Sequence, residues 1–323
     1  MTISAENAAW FAETFGRLTD NVGQALLGKA PVIRLALTCM VAEGHLLLED
    51  APGTGKTALA RAIAATVQGK DSRIQFTPDL LPSDITGVTM YDQQRGTWDF
   101  RPGPIFAHIV LADEINRASP KTQSALLEVM EESHVTVDGK RHEAERPFMV
   151  IATQNPIEQA GTYRLPEAQL DRFLMKTSVG YPDRAASLQV LAGSSHPDRA
   201  RHLRPIITTN AVADMADMVR ENHVDESVLD YVQRLVEATR ADGDTTLGVS
   251  TRGAISMVRA ARVWAAAHSR NYVLPDDIKE LAAPVWTHRL VMSPEAEFAG
   301  GTPTAVIARA LDNVQAPKGR VAS

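Results

Sequence analysis

The chain has 323 residues, enough for roughly two domains with a well-buried core. Hydrophobic residues make up 44% and charged residues 22%, an ordinary balance for a soluble globular protein. Lys and Arg total 33 against 39 Asp and Glu, a net charge of −6 that argues against blanketing nucleic acid. Aromatics at 5% disfavour a stacking platform for single strands. The one cysteine, Cys39, excludes an internal disulfide or an in-chain thiolate cluster and reads as a small buried hydrophobe.

The first residues, MTISAENAAWFAETFGRL, lack a basic start followed by an apolar block, so no secretory signal is expected. No apolar run approaches the length of a membrane span. A cytoplasmic location is the resulting expectation. Trp10, Phe11, Phe15 and Leu18 recur at helical spacing. They predict an amphipathic helix over residues 5–19 that packs on the domain.

Compact apolar runs follow at residues 45–49 (HLLLE), 73–76 (RIQF), 108–112 (HIVLA), 148–152 (FMVIA) and 173–177 (FLMKT). Helical patterns separate them, at 57–67 and 119–132 among others. That rhythm predicts an α/β fold, a parallel sheet covered by helices on both faces. In the second helix Ser119 is placed as N-cap, Pro120 takes the first helical position, and Ala125, Leu126, Val129 and Met130 form the apolar stripe.

Two stretches interrupt the rhythm. Residues 77–106 hold two Pro-bearing turns and a Gln-Arg-Gly turn flanked by 89–91 and 97–100, as in a hairpin. Residues 134–148 hold Asp138-Gly139, a strong hairpin signal. Both are insertions and therefore candidate working loops. From about Pro182 the β-type runs stop and a helical, Ala/Arg/Glu-rich segment begins. We expect a core over residues 1–182 and an all-helical domain over 183–323, its last residues 316–323 frayed. In that domain Ile255, Val258, Ala261 and Ala265 are expected to face inward from one helix.

The chemistry-bearing residues gather at strand ends. The first strand runs into Asp50-Ala-Pro52-Gly53-Thr54-Gly55-Lys56-Thr57-Ala58 and then a helix. Gly53 and Gly55 let backbone N–H groups face a phosphate chain. Lys56 can reach the outer phosphates, and the Thr57 hydroxyl can hold Mg²⁺. The helix N-terminus adds a dipole favourable to anions. Asp50 stands where the strict G-x-x-x-x-G-K-[ST] pattern has its first glycine. A second strand ends in Asp113-Glu114. The first carboxylate can fix Mg²⁺ through water, and the second can polarise an attacking water.

A third strand ends in Thr153-Gln154-Asn155-Pro156, where Asn155 either touches the same water or phosphate or starts a turn. Arg172, between a short helical pattern and an apolar strand, fits a surface ion pair or an arginine finger on a neighbouring subunit's nucleotide. Arg252 lies in a first helical turn, where the dipole disfavours a cation, which points to an anionic partner. The nine histidines show no H-x-x-x-H or H-x-x-E-H spacing and there is no G-x-S-x-G, so neither a protein metal site nor a hydrolase triad is expected.

Together these residues resemble an AAA+ ATPase and, within that superfamily, the MoxR family. Residues 112–132 (ADEINRASPKTQSALLEVMEE) and 151–173 (IATQNPIEQAGTYRLPEAQLDRF) carry the likeness, which extends over about residues 20–300. The resemblance implies an AAA+ P-loop core, a helix-2 insert and a pre-sensor-1 hairpin at the two insertions, and an all-α lid. It implies Walker A at residues 52–58, Walker B at Asp113 and Glu114, sensor 1 at Asn155, a trans-acting finger at Arg172 and sensor 2 at Arg252. Lys56, Glu114, Asn155 and Arg172 would be catalytic, ATP the substrate, and Mg²⁺ held by Thr57 and, through water, by Asp113. Arg164, where the family usually has proline, puts a second arginine near the implied subunit interface.

The resemblance further implies a ring, a hexamer, that hydrolyses ATP to mature or activate other proteins with a von Willebrand factor A domain partner. A nucleic-acid motor is the alternative, since the pre-sensor hairpin carries Lys140, Arg141 and Arg146. Asp138, Glu143 and Glu145 offset that charge. A nucleotide-gated scaffold with little turnover is a third reading, which the Asp113-Glu114 pair opposes.

Overall fold

The computed structural model describes residues 3–51, 53–155, 163–193 and 199–317. They form two compact units. The larger comprises residues 17–173 and 177–214, and the smaller comprises residues up to 16, 174–176 and those from 215 onward.

The larger unit contains α1 (Ala5–Ala25) in part, α2 (Ala30–Val41), β1 (Leu46–Glu49), α3 (Lys56–Thr66), β2 (Asp71–Gln75) and α4 (Pro82–Thr86). Next come β3 (Gly87–Asp92), β4 (Thr97–Pro102), β5 (Ile109–Asp113), α5 (Pro120–Glu132), β6 (His134–Val137), β7 (Lys140–Glu143) and β8 (Met149–Gln154). After them lie α6 (Glu167–Leu170), β9 (Met175–Thr177), of which only Thr177 groups with this unit, α7 (Arg184–Ala192) and the first half of α8 (Thr209–Arg220). The main sheet runs β2-β5-β8-β1-β9, with the β2–β5, β5–β8 and β8–β1 pairs parallel. Every residue of β8 except Gln154 is buried, as a central strand of a covered sheet requires. Leu47, Val110 and Val150 meet Leu126 and Leu127 of α5 and Phe173 in one core cluster. Burial of each such side chain stabilises the fold by about 1.5–3 kcal/mol.

Local chemistry sets the helix ends. Ser119 caps α5 by accepting the Thr122 N–H, and Pro120 opens the helix. Ser133 then takes a left-handed conformation (φ +55°) and turns the chain into β6. His45 ties three elements together. Its Nε2 lies 2.9 Å from the Met130 carbonyl, and its Nδ1 accepts the Val150 N–H at 3.0 Å.

Both expected hairpins are present. β3 and β4 pair from Gly87–Pro102 to Asp92–Thr97. β6 and β7 pair around Asp138 and Gly139, which both have positive φ (+49° and +75°), as a tight hairpin turn demands. They touch each other, since the rings of Phe100 and His142 stack with centroids 3.9 Å apart. The β3–β4 hairpin leaves Val88, Met90, Tyr91 and Trp98 exposed.

The smaller unit is helical, with α9 (Glu226–Ala241), α10 (Thr251–Ala266), α11 (Pro275–Trp286), α12 (Pro294–Phe298) and α13 (Pro303–Asn313). Trp286 is fully buried, and its indole N–H donates to the Gly253 carbonyl. The expected purely helical segment also contains a small antiparallel pair, β10 (Thr245–Leu247) with β11 (Val291–Met292).

Three sequence expectations are refined. The first helix runs to Ala25 rather than 19, and Trp10 is exposed while Phe11, Phe15 and Leu18 are buried. On α10, Ile255 is exposed, and the buried face runs through Ser256, Met257, Ala260, Ala261 and Val263. Residues 183–214 group with the larger unit, and residues up to 16 with the smaller. Cys39 is buried, as expected.

His108 supplies a pH-dependent contribution to stability. Its Nδ1 accepts the Lys70 N–H at 3.1 Å. Burial lowers its pKa, Glu145 opposes this, and Lys70 adds to it. The folded chain therefore holds this proton less readily than the unfolded chain. The contribution is complete above the unfolded value of about 6.5 and is lost as pH falls through the lower folded value. The melting temperature should drop between about pH 7 and pH 5, and His108→Asn should flatten part of that drop. An equal drop in both proteins would refute the assignment.

Candidate active site

The parallel register brings three strand ends to one level. Glu49 lies beside Gln154, Leu48 beside Thr153, Ala112 beside Ala152, and Gln75 beside Asp113. β8 stands between β1 and β5, so the chain segments leaving all three open onto one edge of the sheet. The carboxyl ends of parallel strands are where open α/β sheets bind ligands. A cavity of about 430 Å³ lies there, lined by Asp50, Gly53, Gly55, Lys56, Thr57, Arg73, Gln75, Asp113, Glu114 and Asn155.

The glycine-rich turn has the shape its sequence demands. Gly53 (φ +83°) and Gly55 (φ +99°) adopt conformations that disfavour L side chains. A Cβ on Gly55 would come within 2.8 Å of the Leu26 methyl, so that position has no room for one. Gly55 is the cap of α3, whose first residues are Lys56 and Thr57. The Lys56 ammonium donates to the carbonyls of Asp50 (3.0 Å) and Ala51 (3.3 Å). Thr54 is buried, and its hydroxyl donates to the Ala51 carbonyl. Ala58 follows within α3, outside the cavity lining. Pro52 lies outside the described residues.

The acidic pair is held by a network. The buried Thr153 hydroxyl donates to Asp113 Oδ1 at 2.7 Å and accepts the Glu114 N–H at 2.9 Å. Asp113 Oδ2 pairs with Arg73 at 2.6 Å. Glu114 Oε2 accepts from Gln75 (3.0 Å) and from Arg117 (2.8 Å). Glu114 is left-handed (φ +57°, ψ +50°), a conformation uncommon for a non-glycine residue and concentrated at functional sites.

The donor set suits a phosphate chain with a divalent cation. Lys56 and Thr57, the first residues of α3, line the cavity together with Gly53 and Gly55 of the turn before them. The Thr57 hydroxyl and the Asp113 carboxylate offer the hard oxygen ligands Mg²⁺ takes.

The other expected residues lie elsewhere. Arg172 is outside the cavity lining, donating to the Leu127 carbonyl (2.6 Å) and pairing with Glu131 (2.9 Å) at the end of α5. Arg164 is exposed. Arg252 belongs to the smaller unit, exposed in the first turn of α10 behind the Ser250 cap. Sequence reasoning missed Arg73, Gln75 and Thr153. Arg73 and Gln75 flank the buried Ile74, a strand alternation that marks a face and names no role.

Thr153→Val would leave the Glu114 N–H without its acceptor and Asp113 short of one donor. It should cost about 1–3 kcal/mol in thermal unfolding. Unchanged melting would refute the bridging role.

Two family models match the chain. Residues 45–175 match the ATPase family associated with various cellular activities (AAA), and residues 237–310 match the AAA lid domain. The chain is 39% identical to Chaperone MoxR1 of Mycobacterium tuberculosis, over 97% of this chain and 85% of that protein. It is 46% identical to the uncharacterized protein YeaC of Bacillus subtilis, over 95% and 96% of the two chains. A solved structure from Cytophaga hutchinsonii superposes with a TM-score of 0.90 at 38% identity, covering 97% of this chain and 98% of that one. With its lid, its glycine-rich turn and its acidic pair in place, the chain belongs to the MoxR family of AAA+ ATPases.

Proposed function

We propose that the chain binds ATP with Mg²⁺ and hydrolyses it within a ring, a hexamer, to mature, activate or remodel protein clients in the cytoplasm. One observation carries the ATPase reading. Lys56, Thr57, Asp113, Glu114 and Asn155, from three separate strand ends, line a single cavity.

Each residue takes a role that its position suits. The N–H groups of residues 53–57 and the Lys56 ammonium hold the β- and γ-phosphates. Thr57 and, through water, Asp113 hold Mg²⁺, which supplies a Lewis acid on the phosphate oxygens. Glu114 orients the attacking water, and its left-handed backbone aims the side chain from beyond the strand end. Asn155 contacts the same water or the γ-phosphate as sensor 1. Arg172 acts on the neighbouring subunit's nucleotide, a role worth ~10³–10⁵ in turnover where measured. To do so it exchanges Glu131 and the Leu127 carbonyl for phosphate oxygens. Arg252 reports nucleotide state from the lid as sensor 2.

The name of the mycobacterial relative, a chaperone, supports a protein client. The family resemblance supports a von Willebrand factor A domain protein as partner. Charge pairing in the second hairpin points the same way. Arg141 pairs with Glu143 at 2.6 Å, and Arg146 pairs with Glu43 at 2.8 Å. These cations are already neutralised, which weakens the case for a nucleic-acid track.

Lys56→Ala should abolish nucleotide binding, while Glu114→Gln should bind ATP and fail to hydrolyse it. Normal hydrolysis by the Glu114 variant would overturn its water-orienting role. Lys56→Ala subunits mixed with Arg172→Ala subunits should recover part of the lost activity, since each supplies what the other lacks. No recovery at any mixing ratio would refute a finger acting in trans.

A further inference from the structure

We propose that Asp50 is a positioning residue for the phosphate loop, pinning its first residue to the segment that follows β9. The inference rests on reading the cavity as a nucleotide phosphate site. Asp50 lines that cavity and occupies the pattern position where glycine is common. A carboxylate there opposes an anionic ligand by simple Coulomb repulsion. Its presence therefore calls for a compensating task, and the structure assigns one.

Asp50 is buried, at 8% exposure. Its Oδ2 accepts two backbone N–H groups, from Val179 and from Gly180, the latter at 3.0 Å. The main chain of the same residue reaches two more elements. Its N–H donates to the Gln154 carbonyl at the end of β8 (3.3 Å), and its carbonyl accepts the Lys56 ammonium (3.0 Å). One residue thus joins the strand that leads into Asn155, the phosphate-loop lysine and residues 179–180.

The receiving segment is itself anchored. Gly180 is left-handed (φ +63°), and the Tyr181 carbonyl accepts from Lys29 Nζ at 2.6 Å. Glycine at position 50 could keep both main-chain bonds. It would strip the acceptor from the Val179 and Gly180 N–H groups, and Val179 is buried. The two N–H dipoles also meet the carboxylate's charge, so it can stand beside a phosphate site. Asp50 contacts neither Asp113 nor Glu114 through these bonds, so its effect should fall on nucleotide binding and spare the hydrolytic step.

The test uses the full chain with Mg²⁺, a fluorescent ADP analogue for Kd and steady-state ATP hydrolysis for KM and kcat. Asp50→Ala should raise Kd and KM about tenfold, the value of one charge-assisted hydrogen bond, and leave kcat within about threefold. Asp50→Asn keeps an acceptor oxygen and should stay within about threefold of the native Kd. An unchanged Kd in Asp50→Ala, or equal weakening in both variants, would overturn the proposal.

A second measurement does not depend on how the variants fold. In the native chain, the ADP analogue should slow amide exchange at Val179 and Gly180 severalfold, although neither lines the cavity. Unaltered exchange there, with the analogue bound, would overturn the pinning. A native chain that binds no analogue would overturn the nucleotide reading itself, which the binding curve shows separately.

Discussion

The Thr153 hydroxyl is the contact on which the acidic half of the site depends. It sits fully buried near the end of β8, between the strand of the phosphate loop and the strand of the acids. One oxygen both donates to the Asp113 carboxylate and accepts the Glu114 N–H. That fixes where β5 stops and how the next residue turns. The left-handed Glu114 costs on the order of 1–3 kcal/mol and persists only where its surroundings over-determine it. Thr153 on one side, and Gln75 and Arg117 on the other, supply that determination. β8 also carries the site across to β1, through the Leu48–Thr153 and Glu49–Gln154 neighbours and the Asp50 N–H.

Charge around the cavity is arranged in pairs. Asp113 meets Arg73, Glu114 meets Arg117, and Asp50 meets two backbone N–H groups. Lys56 meets two carbonyls. Each of these contacts replaces hydration that partly buried charge would otherwise lose. The exposed pairs contribute little to folding, since solvent screens them. Their effect is positional, in that they hold acids and cations at fixed places around one cavity before any ligand arrives, as electrostatic catalysis requires.

Sequence patterning went furthest where a residue type has one physical use. Gly53, Gly55 and Gly139 sit where φ must be positive, and Ser119 caps the helix it was assigned. Sheet order was not legible. Apolar runs reveal strands, yet nothing in them says that β8 lies between β1 and β5. The α10 stripe was read correctly at Ala261 and Ala265, which are buried, and incorrectly at Ile255, because the helix carries small and apolar residues on several sides. Ser256, Met257 and Ala260 take the buried face that Ile255 and Val258 also fitted by spacing. At Pro182 the composition shift marked the last strand of the sheet. α7 and the residues up to 214 group with the larger unit. Arg73 and Gln75 escaped notice since polar alternation on an edge strand ordinarily means solvent.

The two insertions, separate in sequence, share a joint. Phe100 of β4 stacks on His142 of β7, and Phe106 meets both rings edge-on. Such aromatic pairs hold about 0.5–1.5 kcal/mol each beyond their buried area. The second hairpin grows directly from the end of α5, whose start follows the acidic pair by one short turn, Ile115–Arg117. Residues 115–132 thus form a continuous chain path from Glu114 into β6 and β7. The ring stack carries that path on to β3 and β4, where Met90, Tyr91 and Trp98 stand exposed. The hairpins cannot move apart without breaking the Phe100–His142 contact.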